Sequence, residues 1–194
     1  MKIIGIELYS INELQGKAKE KAIEKIKENI IELNFEDFTN NAKWSLENDL
    51  GLDATLKHSL GYSQGDGLRF TTSFFNTKQV IAALDLDEST ITTIQKLTDD
   101  KDLIVSINDN EPFSRYSYNH PRQVSIDFSE NINDLIPNYM IEKITKAFVD
   151  TYLRVCNDLE KQGYACYDVS EEDCITCSND NEYFYFDNGV MFHG

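Results

Sequence analysis

From Lys2 to Tyr9 the chain alternates Ile4, Ile6 and Leu8 with Ile3, Gly5 and Glu7, the two-residue period of an opening strand. The period then changes. Ser10-Ile11-Asn12-Glu13 has the S-x-x-E spacing of a capping box, in which hydroxyl and carboxylate satisfy backbone amides at a helix start, so a helix is expected to begin there. Leu14, Ala18, Ala22, Ile26 and Ile30 recur every fourth residue as one apolar stripe, and the Lys and Glu residues between them fall at pairing distances along the helix. Phe35, Phe38, Ala42, Leu46 and Leu50 keep helical spacing as a second helix, with Gly51 placed to cap it. Trp44 lies off this stripe, either at the edge of the core or exposed to a partner.

Two alternating runs follow. Ala54, Leu56, His58 and Leu60 alternate with Thr55, Lys57 and Ser59; Leu68, Phe70, Thr72 and Phe74 alternate with Arg69, Thr71 and Ser73. They read as a hairpin joined across Gly61 to Gly67. His58 shares the leucine face and reads as a core histidine. Asn76 or Thr77 is placed to cap a short helix through Val80, Ile81 and Leu84, and Ser89 another through Ile91, Ile94 and Leu97. Leu103, Val105 and Ile107 form a strand before the turn Asn108 to Pro112. Phe113 to Asn119 and Gln123 to Phe128 read as two more strands, interrupted at His120-Pro121, which gives a meander of antiparallel neighbours.

Asn133, Asp134 and Pro137 mark the entry to the longest helix, whose stripe is Met140, Ile144, Phe148, Tyr152, Val155, Cys156 and Leu159, and Gly163 is expected to stop it. Ser170-Glu171-Glu172-Asp173 is placed to cap one further turn. The chain closes on Glu182 to Phe186, Asp187-Asn188-Gly189 and Val190 to Phe192, a hairpin signal because Asn-Gly accepts positive φ. The expected fold is α+β in one domain over 1–194: an antiparallel meander sheet packed by an N-terminal helix pair and a long C-terminal helix.

Composition adds a charge problem to this picture. The formal net charge is −16. Residues 1–31 are close to neutral, so nearly all of the excess lies beyond them. Such a surface repels a phosphate backbone, which argues against direct nucleic-acid binding and suits basic partners, including the phosphate-binding grooves of nucleases. The plainer alternative is that the charge serves only to keep the protein dispersed. No run approaches roughly 18 apolar residues and no signal-peptide pattern opens the chain, so no membrane association is expected and the cytosol is the expected compartment.

Candidate chemistry is sparse. Cys156, Cys166, Cys174 and Cys177 fall in the last quarter, and Cys174-Ile175-Thr176-Cys177 has the C-x2-C form, with His193 available as a further ligand. The spacings are not those of a paired zinc knuckle, and Cys156 lies on an apolar stripe, so no metal and no cofactor are expected. Nucleophile elbow, phosphate loop, HExxH and dinucleotide fingerprint are all absent from the sequence. Two polar clusters remain. Tyr62-Ser63-Gln64-Gly65-Asp66-Gly67 is the densest turn-forming stretch, and Arg115 to His120 is aromatic and polar. If the two meet, Gln64, Asp66, Arg115 and His120 line one ligand pocket, with His120 as acid or base and Arg115 as anion clamp. A hairpin turn and an edge strand explain the same residues structurally.

Leu8 to Leu14 with Lys17 to Ala22, the Tyr62–Gly67 stretch, Arg115 to His120, and Glu182-Tyr183-Phe184 with Asp187-Asn188-Gly189 together resemble a group of acidic bacteriophage and prophage proteins, over nearly the whole chain. Some members are labelled antitoxins of toxin–antitoxin systems. The cysteines, and Pro121 after the second cluster, depart from that pattern. The resemblance implies a phage-encoded accessory protein in the cytosol of a host bacterium. Joined to the acidic balance, it leads to the expectation of an anti-defence, anti-CRISPR-like inhibitor whose carboxylates mimic nucleic acid. Asp99, Asp100, Asp102, Glu171, Glu172 and Asp173 would face a host nuclease or other defence effector. A small-ligand enzyme at the two clusters and an antitoxin-like partner protein are the alternatives.

Overall fold

The computed structural model describes residues 5–63, 65–75, 77–108, 118 and 124–193, with the backbone alone for 73–75 and 77. The fold is α+β. Its elements are α1 (Gly16–Leu50), β1 (Leu52–Ser59), β2 (Gly67–Phe75), α2 (Thr77–Ala82), α3 (Glu88–Asp99), β3 (Leu103–Ile107), β4 (Val124–Phe128), α4 (Ile132–Leu135), α5 (Asn138–Ala165) and α6 (Glu171–Asp180). Packing divides them into two compact units, residues 1–37 with 165–194, and residues 38–164.

The expected N-terminal helix pair is a single helix. No glycine or proline lies between Gly16 and Gly51, so nothing in that run breaks the hydrogen-bond ladder, and α1 continues for 35 residues. Gly51 ends it as expected, at φ +64 with its N–H donating to the Glu47 carbonyl at 3.0 Å. The start is later than the Ser10 signal. Glu13 Oε2 does accept from Ser10 N (2.7 Å) and Ser10 Oγ (2.9 Å), but those bonds close an isolated turn. Gly16, at φ +53, then opens the helix.

In the first unit, Ile11, Leu14, Ala22, Ile26, Val169, Cys174 and Tyr185 form the core. Of the expected opening strand, described from Gly5 onward, only Tyr9 pairs, in an antiparallel bridge to Tyr185. Tyr185 in turn bridges Met191 across the expected terminal hairpin, whose Gly189 takes φ +78. The Ser170 cap is a reciprocal capping box: Ser170 Oγ accepts from Asp173 N at 3.1 Å and the Asp173 carboxylate accepts from Ser170 N at 2.8 Å. It starts a helix of ten residues rather than one turn.

In the second unit, β1 and β2 pair antiparallel from Leu52↔Phe75 to Ser59↔Gly67, with a bulge at Asp53/Ala54, so the expected hairpin is present. β3 and β4 pair in the same sense, Leu103↔Phe128 to Ile107↔Val124. Among the described residues these are two separate two-stranded sheets rather than one meander. The expected strand Phe113 to Asn119, its turn from Asp109 onward, His120-Pro121 and the Asn76 cap lie outside the described residues, apart from Tyr118, which stands in a bend.

α3 is capped by Asp87, two residues before the expected Ser89; the Asp87 carboxylate accepts from Thr90 N (3.0 Å), Thr90 Oγ1 (2.9 Å), Ser89 Oγ (2.5 Å) and Lys143 Nζ. α5 buries Ile144, Phe148, Tyr152, Cys156 and Leu159 along the expected stripe. It runs through Gly163 instead of stopping there, because the missing side chain makes room for a neighbour: a Cβ on Gly163 would sit 2.3 Å from Leu60 Cδ1 and 3.3 Å from the Phe38 ring. Trp44 is exposed, at 62% of its surface.

Candidate functional site

The loop between β1 and β2 is built around one carboxylate. Asp66 accepts from Gly61 N (2.6 Å), Ser63 N (2.8 Å), Ser63 Oγ (2.8 Å), Ser59 Oγ (3.2 Å) and Tyr164 Oη (3.3 Å). The Ser63 N–H first, and the Gly61 N–H next, hold its carboxyl well below the usual carboxylate range. Both oxygens are therefore engaged inside the loop. Tyr164 lies on α5, ninety-eight residues away in sequence, so the loop is pinned to the helix as well as to itself.

A depressed folded-state pKa has a definite sign. The unfolded carboxyl titrates near ~3.9, so Asp66 contributes its full stabilisation above that pH and loses it as pH falls through the lower folded value. In urea titrations, the midpoint advantage of the native protein over Asp66→Asn is expected to be constant above about pH 5 and to shrink toward pH 2. An advantage that grew in acid would reverse the assignment.

Above this anchor stands an aromatic pair. Tyr62 takes φ +56 and leaves 70% of its surface exposed, with its ring centroid 4.8 Å from that of Tyr164 at 37°. Glu160 lies one turn before Tyr164 on the same helix face; burial first, and the Asp66 charge second, push its carboxyl up.

Of the four residues expected to line a ligand pocket, Asp66 is placed here, while Gln64, Arg115 and His120 lie outside the described residues. The two sequence clusters nevertheless touch at Tyr118. A Cβ on Gly67 would fall 2.6 Å from Tyr118 Cβ, so only glycine admits that close approach. β2 is in consequence covered on both faces here, with Gly67, Leu68, Arg69 and Phe70 all buried. Arg69, 5% exposed, stands opposite Lys57 in the hairpin register, and its charge acts on the buried Tyr152 hydroxyl. Alternation in the sequence puts Arg69 on the face opposite Leu68 and Phe70, and period two separates the faces of a strand without saying which are covered. Tyr164 and Glu160 were also missed, the one signal being their place just past the apolar stripe of α5.

The expected acidic surface divides between the two units. Asp99 and Asp100 are exposed and Asp102 half-buried; Asp99 faces Lys78 at 4.0 Å, and Asp100 ends α3. Glu171, Glu172 and Asp173 are exposed in the first turn of α6, where a helix N-terminus favours them. Glu171 lies 3.8 Å from Lys19, and Asp173 is committed to the Ser170 cap. Residues 165–194 carry seven carboxylates, Asp168, Glu171, Glu172, Asp173, Asp180, Glu182 and Asp187, and no lysine or arginine; all seven are exposed.

The cysteines are not in disulfides, and burial pushes the Cys166 and Cys174 thiols up and the Cys156 thiol to about 12, away from nucleophilic use. His58 is half-buried, packs edge-on to Phe38 at 6.0 Å, and has its pKa lowered by burial. Among the described residues, no group of three or more His, Cys, Asp or Glu is placed to hold a metal ion, and no helix is long and apolar enough to cross a membrane. No family model, curated protein or solved structure matches this chain.

Proposed function

We propose that this chain is a phage-type accessory protein that binds and inhibits a basic host protein, an anti-defence inhibitor of the anti-CRISPR kind that occupies the nucleic-acid groove of a nuclease in the host cytosol. The observation that carries the reading is the set of seven exposed carboxylates in residues 165–194 with no lysine or arginine among them, on a chain of net charge −16. Carboxylates distributed this way present to a Lys- and Arg-lined groove the charge sign and exposed oxygens of a phosphate backbone. The partner is a protein, with no direct nucleic-acid contact and no cofactor. Engagement of both Asp66 oxygens within its own loop favours surface binding over an enzyme reading centred on that residue.

Such a complex is held and steered by charge, so salt is its test. With a panel of purified bacterial nucleases, affinity for the inhibited member is expected to fall at least tenfold between 50 and 500 mM NaCl, and duplex DNA is expected to compete for the same groove. Absence of binding across the panel, or binding indifferent to salt, would count against nucleic-acid mimicry. Selective capture of one co-encoded toxin instead would favour the antitoxin-like reading.

A further inference from the structure

We propose that Tyr62, Tyr164 and Glu160 receive an arginine side chain of the basic partner, a specific contact in addition to diffuse electrostatic attraction. The inference rests on the reading of the protein as a binder of a basic partner and names where one of the partner's cations lands. Three observations carry it. The first is the exposed ring of Tyr62, held by a left-handed backbone and tilted at 37° against Tyr164 with centroids 4.8 Å apart instead of being folded into the core. Two tyrosine rings side by side offer negative faces to a planar cation, and guanidinium stacks on such faces more readily than ammonium does.

The second is the division of labour between the two acids. Asp66 is consumed by five donors, three in the loop with Ser59 of β1 and Tyr164 of α5, so it adds negative field without being a ligand. Glu160, half-buried, makes no hydrogen bond or ion pair among the described residues, and the neighbouring Lys161 is turned to Asp158 at 3.3 Å. Glu160 therefore keeps both oxygens for an incoming donor, while burial first and the Asp66 charge second push its carboxyl up. The third is anchoring. Asp66 accepts from Gly61 and Ser63, the residues on either side of Tyr62, and from Tyr164, so one carboxylate ties both rings to a common point. A guanidinium meets this arrangement by stacking over the tyrosine faces while donating to Glu160.

The test is a titration of the full chain with a hexa-arginine peptide at low salt, read by calorimetry and by the ring proton shifts of Tyr62 and Tyr164. Saturable binding with shifts at both rings is expected. Tyr62→Ala should weaken it about threefold to fivefold. Glu160→Gln should weaken it at least as much, and Tyr62→Phe, which keeps the ring face, should restore it. Glu171→Gln with Glu172→Gln, a control of equal or greater charge loss elsewhere, should leave the ring shifts in place. If hexa-arginine binds but Tyr62→Ala and Glu160→Gln change nothing, the arginine site is wrong while binding by the acidic surface stands. If hexa-arginine does not bind any form of the protein, both fall together.

Discussion

Replacing Gly189 by alanine is expected to destabilise the unit of residues 1–37 and 165–194 by on the order of 3 kcal/mol or more, among the larger effects a single methyl group can have. Two costs add. Gly189 sits at φ +78, a left-handed conformation that costs an L side chain about 1–2 kcal/mol. A Cβ there would also lie 2.1 Å from the Ala18 carbonyl oxygen, 2.8 Å from its carbon and 3.0 Å from Ala18 Cα. Those are backbone atoms of α1 and cannot rotate aside as a side chain would. The turn must lift off the helix, and with it goes the register that places Tyr185, fully buried and hydrogen-bonded to Ser178 at 2.8 Å, between Tyr9 and Met191. Gly16 is the internal control: it shares the left-handed backbone, φ +53, but a Cβ there meets nothing within 4 Å. Gly16→Ala should show the conformational cost alone, about 1–2 kcal/mol. Urea denaturation of both variants checks this, and equal losses would remove the role assigned to the Ala18 contact.

The Asn188-Gly189 signal belongs to the part of the molecule that local sequence encodes well. Turn chemistry, caps and stripes are short-range, and where they decide the outcome the reading and the structure agree: the Ser170 capping box, the buried face of α5, the pairing of Leu52–Ser59 with Gly67–Phe75. The failures share a different cause. The five-residue step from Ile30 to Phe35 looks like a break between helices. It is instead where α1 passes from serving the core of Ala22 and Ile26 to serving that of Phe38, Ala42 and Leu46, with no helix breaker present to end it. At Asp87 and Ser89 two good capping residues compete within one turn, and the carboxylate wins by also reaching Lys143, a partner fifty-six residues on. Within the site, the Tyr62–Gly67 stretch is legible as a turn, and Asp66 as its local hydrogen-bond acceptor. Tyr164 over that turn and Tyr118 against Gly67 are long-range contacts that no spacing rule announces. What singles the loop out as a site is thus tertiary: an exposed tyrosine against a half-buried one, with a half-buried carboxylate, assembled from segments a hundred residues apart.

Phe70→Ala is expected to cost 3–5 kcal/mol in the other unit. Phe70 is 1% exposed, and its ring lies 5.0 Å from that of Tyr152, whose hydroxyl donates to the Phe70 carbonyl at 3.5 Å. The two rings border a cavity of about 20 Å³ lined by Leu52, Val105, Phe148 and Val155 as well, so the space vacated by the benzyl group joins a void that already exists. Collapse is harder around a joined cavity, which places the cost toward the upper end of the range. Because the rings touch, Phe70→Ala with Tyr152→Ala should cost less than the sum of the two single changes, by about 1 kcal/mol in a double-mutant cycle followed by urea denaturation. Strict additivity would mean that the pair does not interact. The same experiment separates stability from recognition. β2 leads directly from Phe70 to Gly67, so the core variant is expected to loosen the Asp66 loop and lose arginine binding along with folding. Tyr62→Ala touches only the exposed end of the arrangement and should change stability by no more than about 0.5 kcal/mol while still weakening that binding by the expected threefold to fivefold.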